Sequence, residues 1–148
     1  MVAPMAWTRT IADGRYFRID HDPEADMCLM TRTPAAFETI DALDRAFDDA
    51  CAALDRLGRA DRRLLVDMRA VQGRNDEAFE VAMRRHRPRV LAGFERVAIL
   101  VRSAVGVLQL SRHVREDGGA DAVIGSDLGA ILRELGVAAG SLELRDVG

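Results

Sequence analysis

The chain has 148 residues, 49% of them hydrophobic and 30% charged, the profile of a globular protein long enough to bury a sizeable core. A formal net charge of −3 supplies no global attraction to nucleic acid or to an anionic membrane, and neither is an expected partner. All 21 basic residues are Arg, which excludes a lysine Schiff base, a lysine general base and a phosphate-loop lysine.

Residues 15–33 read as two strands. In RYFRID, Phe17 and Ile19 alternate with Arg18 and Asp20. HDPEAD then supplies turn residues and MCLMTRT a second, antiparallel strand. Residues 7–11 can add a short edge piece. Thr33 and Pro34 are expected to open the first long helix as N-cap and first helical residue. From there Phe37, Ile40, Leu43, Phe47, Ala50, Leu54 and Leu57 recur at helical steps, and Gly58 is a fitting stop.

Leu64-Leu65-Val66-Asp67 is an unalternating apolar run, as in a strand covered on both faces. A helix is expected over residues 76–92, with Phe79, Met83 and Val90 on one stripe and Pro88 near its end. Residues 94–101 hold another buried strand. Ser103 caps a third helix, in which Val107, Leu110 and Val114 share a face. Residues 122–124 form a short last strand, Ser126 caps a fourth helix, Gly136 closes it, and residues 137–148 read as a loosely held tail. The expected fold is therefore α/β, in the order β-β-α-β-α-β-α-β-α. Its sheet would be mixed and mostly parallel, with an antiparallel N-terminal hairpin and helices packed against it, in one domain spanning residues 1–148 with a core over about 15–136.

Cys28 and Cys51 read as small buried hydrophobes, not as a disulfide or a metal site. The opening MVAPMAWTRTIADG lacks the basic head and apolar core of a signal peptide, and no apolar run approaches the ~20 residues of a membrane span. A cytoplasmic protein is expected, with no metal and no cofactor.

The stretch LLVDMRAVQGRNDEAF, with the later FERVAILV and SAVGVLQLSRHVRE, resembles the STAS domain (sulfate transporter and anti-sigma factor antagonist) and its SpoIIAA-like and SEC14-like relatives over roughly residues 15–136. The resemblance rests on element order and hydrophobic pattern. In anti-sigma factor antagonists an Asp-Ser pair begins the helix after this strand, and phosphorylation of the Ser breaks a partner contact. Counted from Asp67, that pair falls on Asn75-Asp76, so the resemblance implies a copy without the phosphoacceptor hydroxyl. Asp76 would then either mimic one state of the switch or simply cap the helix, which Asn-Asp does well.

The candidate recognition surface comprises Asp67, Arg69, Arg74, Asn75, Asp76 and Glu77 at this strand–loop–helix junction. Arg69, Arg74 and Arg102 would ring an anion-binding crevice with the helix start at Ser103 if their strands are neighbours; the simpler reading pairs them with Asp67, Asp76 and Glu77 on a solvated rim. The basic run from Arg84 to Arg89 reads as a solvated helix end. His86 reads as a half-packed boundary residue, His21 as a turn residue, and His113 lacks a partner at ligand spacing. Asp67 also stands where response-regulator receivers carry their phosphoacceptor, but the Lys those domains need is missing. No catalytic motif is present. The leading expectation is a noncatalytic interaction or regulatory module that binds a protein partner or itself. The alternative is a carrier of a small apolar or lipid-like ligand, and an uncharacterised enzyme stands third.

Overall fold

The computed structural model describes residues 9–23, 25–71, 76–117 and 121–137. Six strands form one mixed sheet: β1 (Arg9–Asp13), β2 (Phe17–Asp22), β3 (Met27–Arg32), β4 (Arg63–Asp67), β5 (Arg96–Leu100) and β6 (Ala122–Gly125). Their order in the sheet is their order in the chain. β1, β2 and β3 are antiparallel neighbours, and β3 to β6 run parallel. Helices α1 (Ile40–Leu57), α2 (Glu77–Leu91) and α3 (Ala104–Glu116) cross between the parallel strands, and α4 (Leu128–Glu134) follows β6. The α/β architecture is the expected one, with β1 added as a third antiparallel strand where residues 7–11 had offered an edge piece.

Alternation along each strand builds two cores. Ile19, Cys28, Met30, Leu64, Val66, Val97 and Ile99 face α1, α2 and α3. Met27, Leu29, Leu65, Ala98 and Leu100 face the other way, onto Ile131, Leu132 and Leu135 at α4. The unalternating run 64–66 is thus buried on both faces, as read.

Three boundaries differ from expectation. α1 starts at Ile40, because Thr39 supplies the cap by accepting the Ala42 amide at 3.0 Å. Thr33 instead donates its hydroxyl to the Arg15 carbonyl at 2.6 Å, which pins residues 33–39 as a loop beside the β1–β2 turn. The N-cap position of α4 belongs to Asp127, not Ser126, and has no side-chain cap bond. His21 lies in β2, since the hairpin turn begins one residue after Asp22. Gly58 does close α1, with φ 94° and its amide on the Leu54 carbonyl. Val137 is buried in the second core rather than loose; the rest of the expected tail lies outside the described residues.

Thr39→Ala is expected to lower unfolding free energy by about 1 kcal/mol in urea titration, because the α1 cap is lost. Ser126→Ala should stay within about 0.5 kcal/mol of the parent, and a larger loss there would contradict the assigned α4 start.

Candidate functional site

α2 packs along α1 and more lightly on α3 rather than lying closely on the sheet. The space left beneath it is a cavity of about 350 Å³, the lower part of the ~300–1,000 Å³ span of small-molecule sites. Its floor is Phe17, Met30, Val66 and Ile99 from β2 to β5. Leu43 and Phe47 of α1, Phe79, Met83 and Val90 of α2, and Leu110 of α3 form the roof and walls. Residues 33–37 and Met68 and Val71 close the end at which the parallel strands β3 and β4 finish.

One wall is aromatic. Tyr16 and Phe37 have ring centroids 4.6 Å apart, Phe17 and Phe47 5.0 Å, and Phe47 stacks on His86 at 4.9 Å with planes 6° apart. His86 is therefore buried at 4% exposure, not half packed, because its ring covers Phe47. Its Nδ1 lies 2.7 Å from Arg89 Nη1, which can only donate, so Nε2–H donates to Asp44 Oδ1 at 2.6 Å. That hydrogen bond, helped by Arg85 at 2.6 Å, holds the Asp44 carboxyl below its ordinary value.

Two guanidiniums reach the cavity. Arg87 is buried, so the run from Arg84 to Arg89 is not wholly a solvated face. It pairs with Glu80 at 3.1 Å and with Asp117, and His113 Nδ1 also meets Glu80 at 3.2 Å. This network ties α2 to α3 and gives His113 a carboxylate partner that sequence spacing did not reveal. Arg32, at 7% exposure, lies 4.2 Å above the Phe37 ring and 5.7 Å from the Tyr16 and Phe17 centroids. Its Nη1 donates to the carbonyls of Thr33 (2.7 Å) and Tyr16 (3.3 Å). Burial, partly countered by Tyr16, brings its pKa down to about 10, so it remains a cation at neutral pH.

Among the described members of the expected recognition surface, Asp67 is not at the surface. Asp67 is 1% exposed, on the sheet face away from α1–α3, where it accepts from Arg69 Nε (3.0 Å), Nη2 (2.9 Å) and the backbone amide (3.1 Å). Asp76 is the N-cap of α2 and accepts the Ala78 amide at 3.0 Å, with Glu77 exposed beside it. Arg74 and Asn75 lie outside the described residues. β4 and β5 are neighbours, as the anion crevice required. Yet Arg69 closes on Asp67, Arg102 donates to the Val71 carbonyl at 3.3 Å, and the Ser103 hydroxyl caps α3 through the Gly106 amide at 3.1 Å. What the junction contributes to a concave site is apolar: Met68, Val71 and Phe79. Cys28 and Cys51 are buried free thiols outside the cavity lining, and burial pushes Cys28 up to about 11. Among the described residues no cluster of His, Cys, Asp or Glu is arranged to hold a metal ion, and no helix is long and apolar enough to cross a membrane.

No protein-family model, no curated protein and no solved structure matches the chain.

The depressed Asp44 carboxyl contributes stability above its ordinary value of 3.8, and that contribution is lost as pH falls through the lowered one. Asp44→Asn should therefore be less stable than the parent near neutral pH in urea titration. The gap should narrow as the solution is taken below that value, and a gap that widens in acid would contradict the assignment.

Proposed function

We propose that the chain is a noncatalytic binding module for a small apolar ligand on a STAS-like frame. The observation that carries this reading is the cavity of about 350 Å³ between α2 and the sheet. A dry apolar void of about 150 Å³ suffices for a benzene-sized molecule, so this one has room for roughly two rings or a medium-length alkyl chain. The expected sheet order, with its antiparallel start and parallel remainder, supports the STAS-like frame. The lining supports binding without chemistry. Among the described residues it includes no Ser, Cys, His or Asp, its hydroxyl on Thr33 is spent on the Arg15 carbonyl, and its carboxylate on Glu80 is paired with Arg87. Asp76, where the resemblance would put a phosphoacceptor, is occupied as a helix cap.

Protein interaction is the second reading. Val105 and Leu108, three residues apart on α3, are exposed at 63% and 73%. If α3 mediates self-association, sedimentation velocity will show an oligomer in the parent and a monomer for Leu108→Asp; a monomeric parent removes self-association from this reading.

The neutral two-ring dye prodan is expected to bind the whole chain as a one-to-one complex, with a blue-shifted emission. Leu110→Trp, which fills the cavity from α3, should weaken it by roughly tenfold or more, given the 1–3 kcal/mol that overpacking commonly carries, with helical circular dichroism retained. Unshifted emission of prodan with the parent chain would sink the ligand-binding reading.

A further inference from the structure

Arg32 and Arg87 stand at the same cavity under opposite conditions. Arg87 has two carboxylates and no charge left to offer. Arg32 is as deeply buried and is in no ion pair among the described residues. Of the two acidic side chains nearest in sequence, Asp26 meets Arg62 at 2.9 Å and Glu38 is turned outward onto Arg15 at 2.8 Å. Among the described residues both acceptors of Arg32 are backbone carbonyls and both take Nη1, so that Nε and Nη2 have no acceptor there. Those two nitrogens form the edge of the guanidinium that grips a carboxylate side-on. Rings on which the cation stacks hold it in place, Phe37 closest.

We infer that the ligand of this cavity is an amphiphile with one carboxylate, seated on Arg32, and an apolar body lying along Phe17, Phe37 and Phe47. This deepens the ligand-binding reading and rests on it. A monoanion fits better than a phosphate because Arg32 brings a single uncompensated positive charge. The second guanidinium is already neutralised, and Glu80 adds negative charge to the same lining. The head is therefore matched by one bidentate contact, and the body by a wall that has no further polar demand.

Displacement of prodan from the full chain by decanoate, decanol and decyl phosphate near neutral pH tests this. Decanoate should bind roughly tenfold or more tightly than decanol, as expected for a desolvated charge-assisted pair. Arg32→Gln should abolish that preference, read as the ratio of decanoate to decanol affinity on the same variant, and Arg32→Lys should restore only part of it because an ammonium lacks the fork. Equal affinity for acid and alcohol overturns the carboxylate assignment and leaves the cavity reading standing. Tighter binding of decyl phosphate than of decanoate also overturns it, in favour of a phosphate head. If prodan itself does not bind, both readings fall together. Should Arg32→Gln not fold, the comparison of the three ligands on the parent chain decides alone.

Discussion

A parallel sheet whose strands follow one another in chain order has to carry its crossover helices on one face, because each right-handed connection steps in the same direction. That constraint governs this molecule. α1, α2 and α3 share the face built by Cys28, Met30, Leu64, Val66, Val97 and Ile99, and only α4 reaches the other. The sheet order never reverses, so there is no topological switch point at which doubly wound proteins open their ligand crevice. Space for a ligand has to come from the helix layer instead. It comes from α2, which leans on α1 and α3 and leaves the sheet uncovered beneath Phe79 and Met83.

The helix layer holds its spacing through charge as well as contact. Arg85 and Arg89 of α2 reach Asp44 and Asp48 of α1, and Arg87 reaches Asp117 beyond α3. The exposed Arg85–Asp44 and Arg89–Asp48 pairs contribute about 0–1 kcal/mol each, too little to close α2 onto the sheet or to hold it away alone. Their value is positional. Together with the His86–Phe47 stack, they fix which face of α2 looks down, and that choice puts Phe79, Met83 and Val90 over the cavity. Without those pairs the weakly amphipathic α2, with charged residues at Glu80, Arg84, Arg85, Arg87 and Arg89, would have a poor sense of its own underside.

Most of the frame was legible from periodicity. The two-face burial of residues 64–66, the stripe of α1 from Leu43 to Leu54, the Ser103 cap and the Gly58 stop follow from local rules that the tertiary structure obeys. The start of α1 was misread because Thr33-Pro34 is as good a local start signal as Thr39, and what decided between them is a bond to Arg15, 18 residues upstream. The geometry around the candidate site was only partly legible for a related reason. Asp67, Arg69, Asp76 and Glu77 are polar and close in the chain, but strand alternation sends Asp67 to the face away from α1, α2 and α3. The residue that matters more in the proposed function, Arg32, did leave a trace. It occupies the same alternating face as Cys28 and Met30, where a third apolar residue would be expected, and a charge breaking a buried stripe is the signal that position offered. His86 and Arg87 could not be placed in the same way, since Asp44 and Phe47 lie on α1 and Asp117 after α3, and no spacing rule joins them to α2.

The burial of Arg32 is what separates a structural cation from a functional one. A pKa lowered to about 10 means that the protonated form is disfavoured by on the order of 3 kcal/mol relative to water. Folding tolerates this because two carbonyls and three rings recover part of the lost hydration. An apolar residue in that place would pack against Phe37 and Phe17 without the penalty, as replacements of buried ion pairs elsewhere commonly do. Arg87 answers the same difficulty with the charges of Glu80 and Asp117, although its Nε is left without a hydrogen-bond partner among the described residues. Arg32 answers it only in part, and it lines a cavity with room for a molecule with an apolar body. An incoming carboxylate would return to Arg32 the partner that the fold withholds, and the energy released would favour the acid over any uncharged molecule of the same shape.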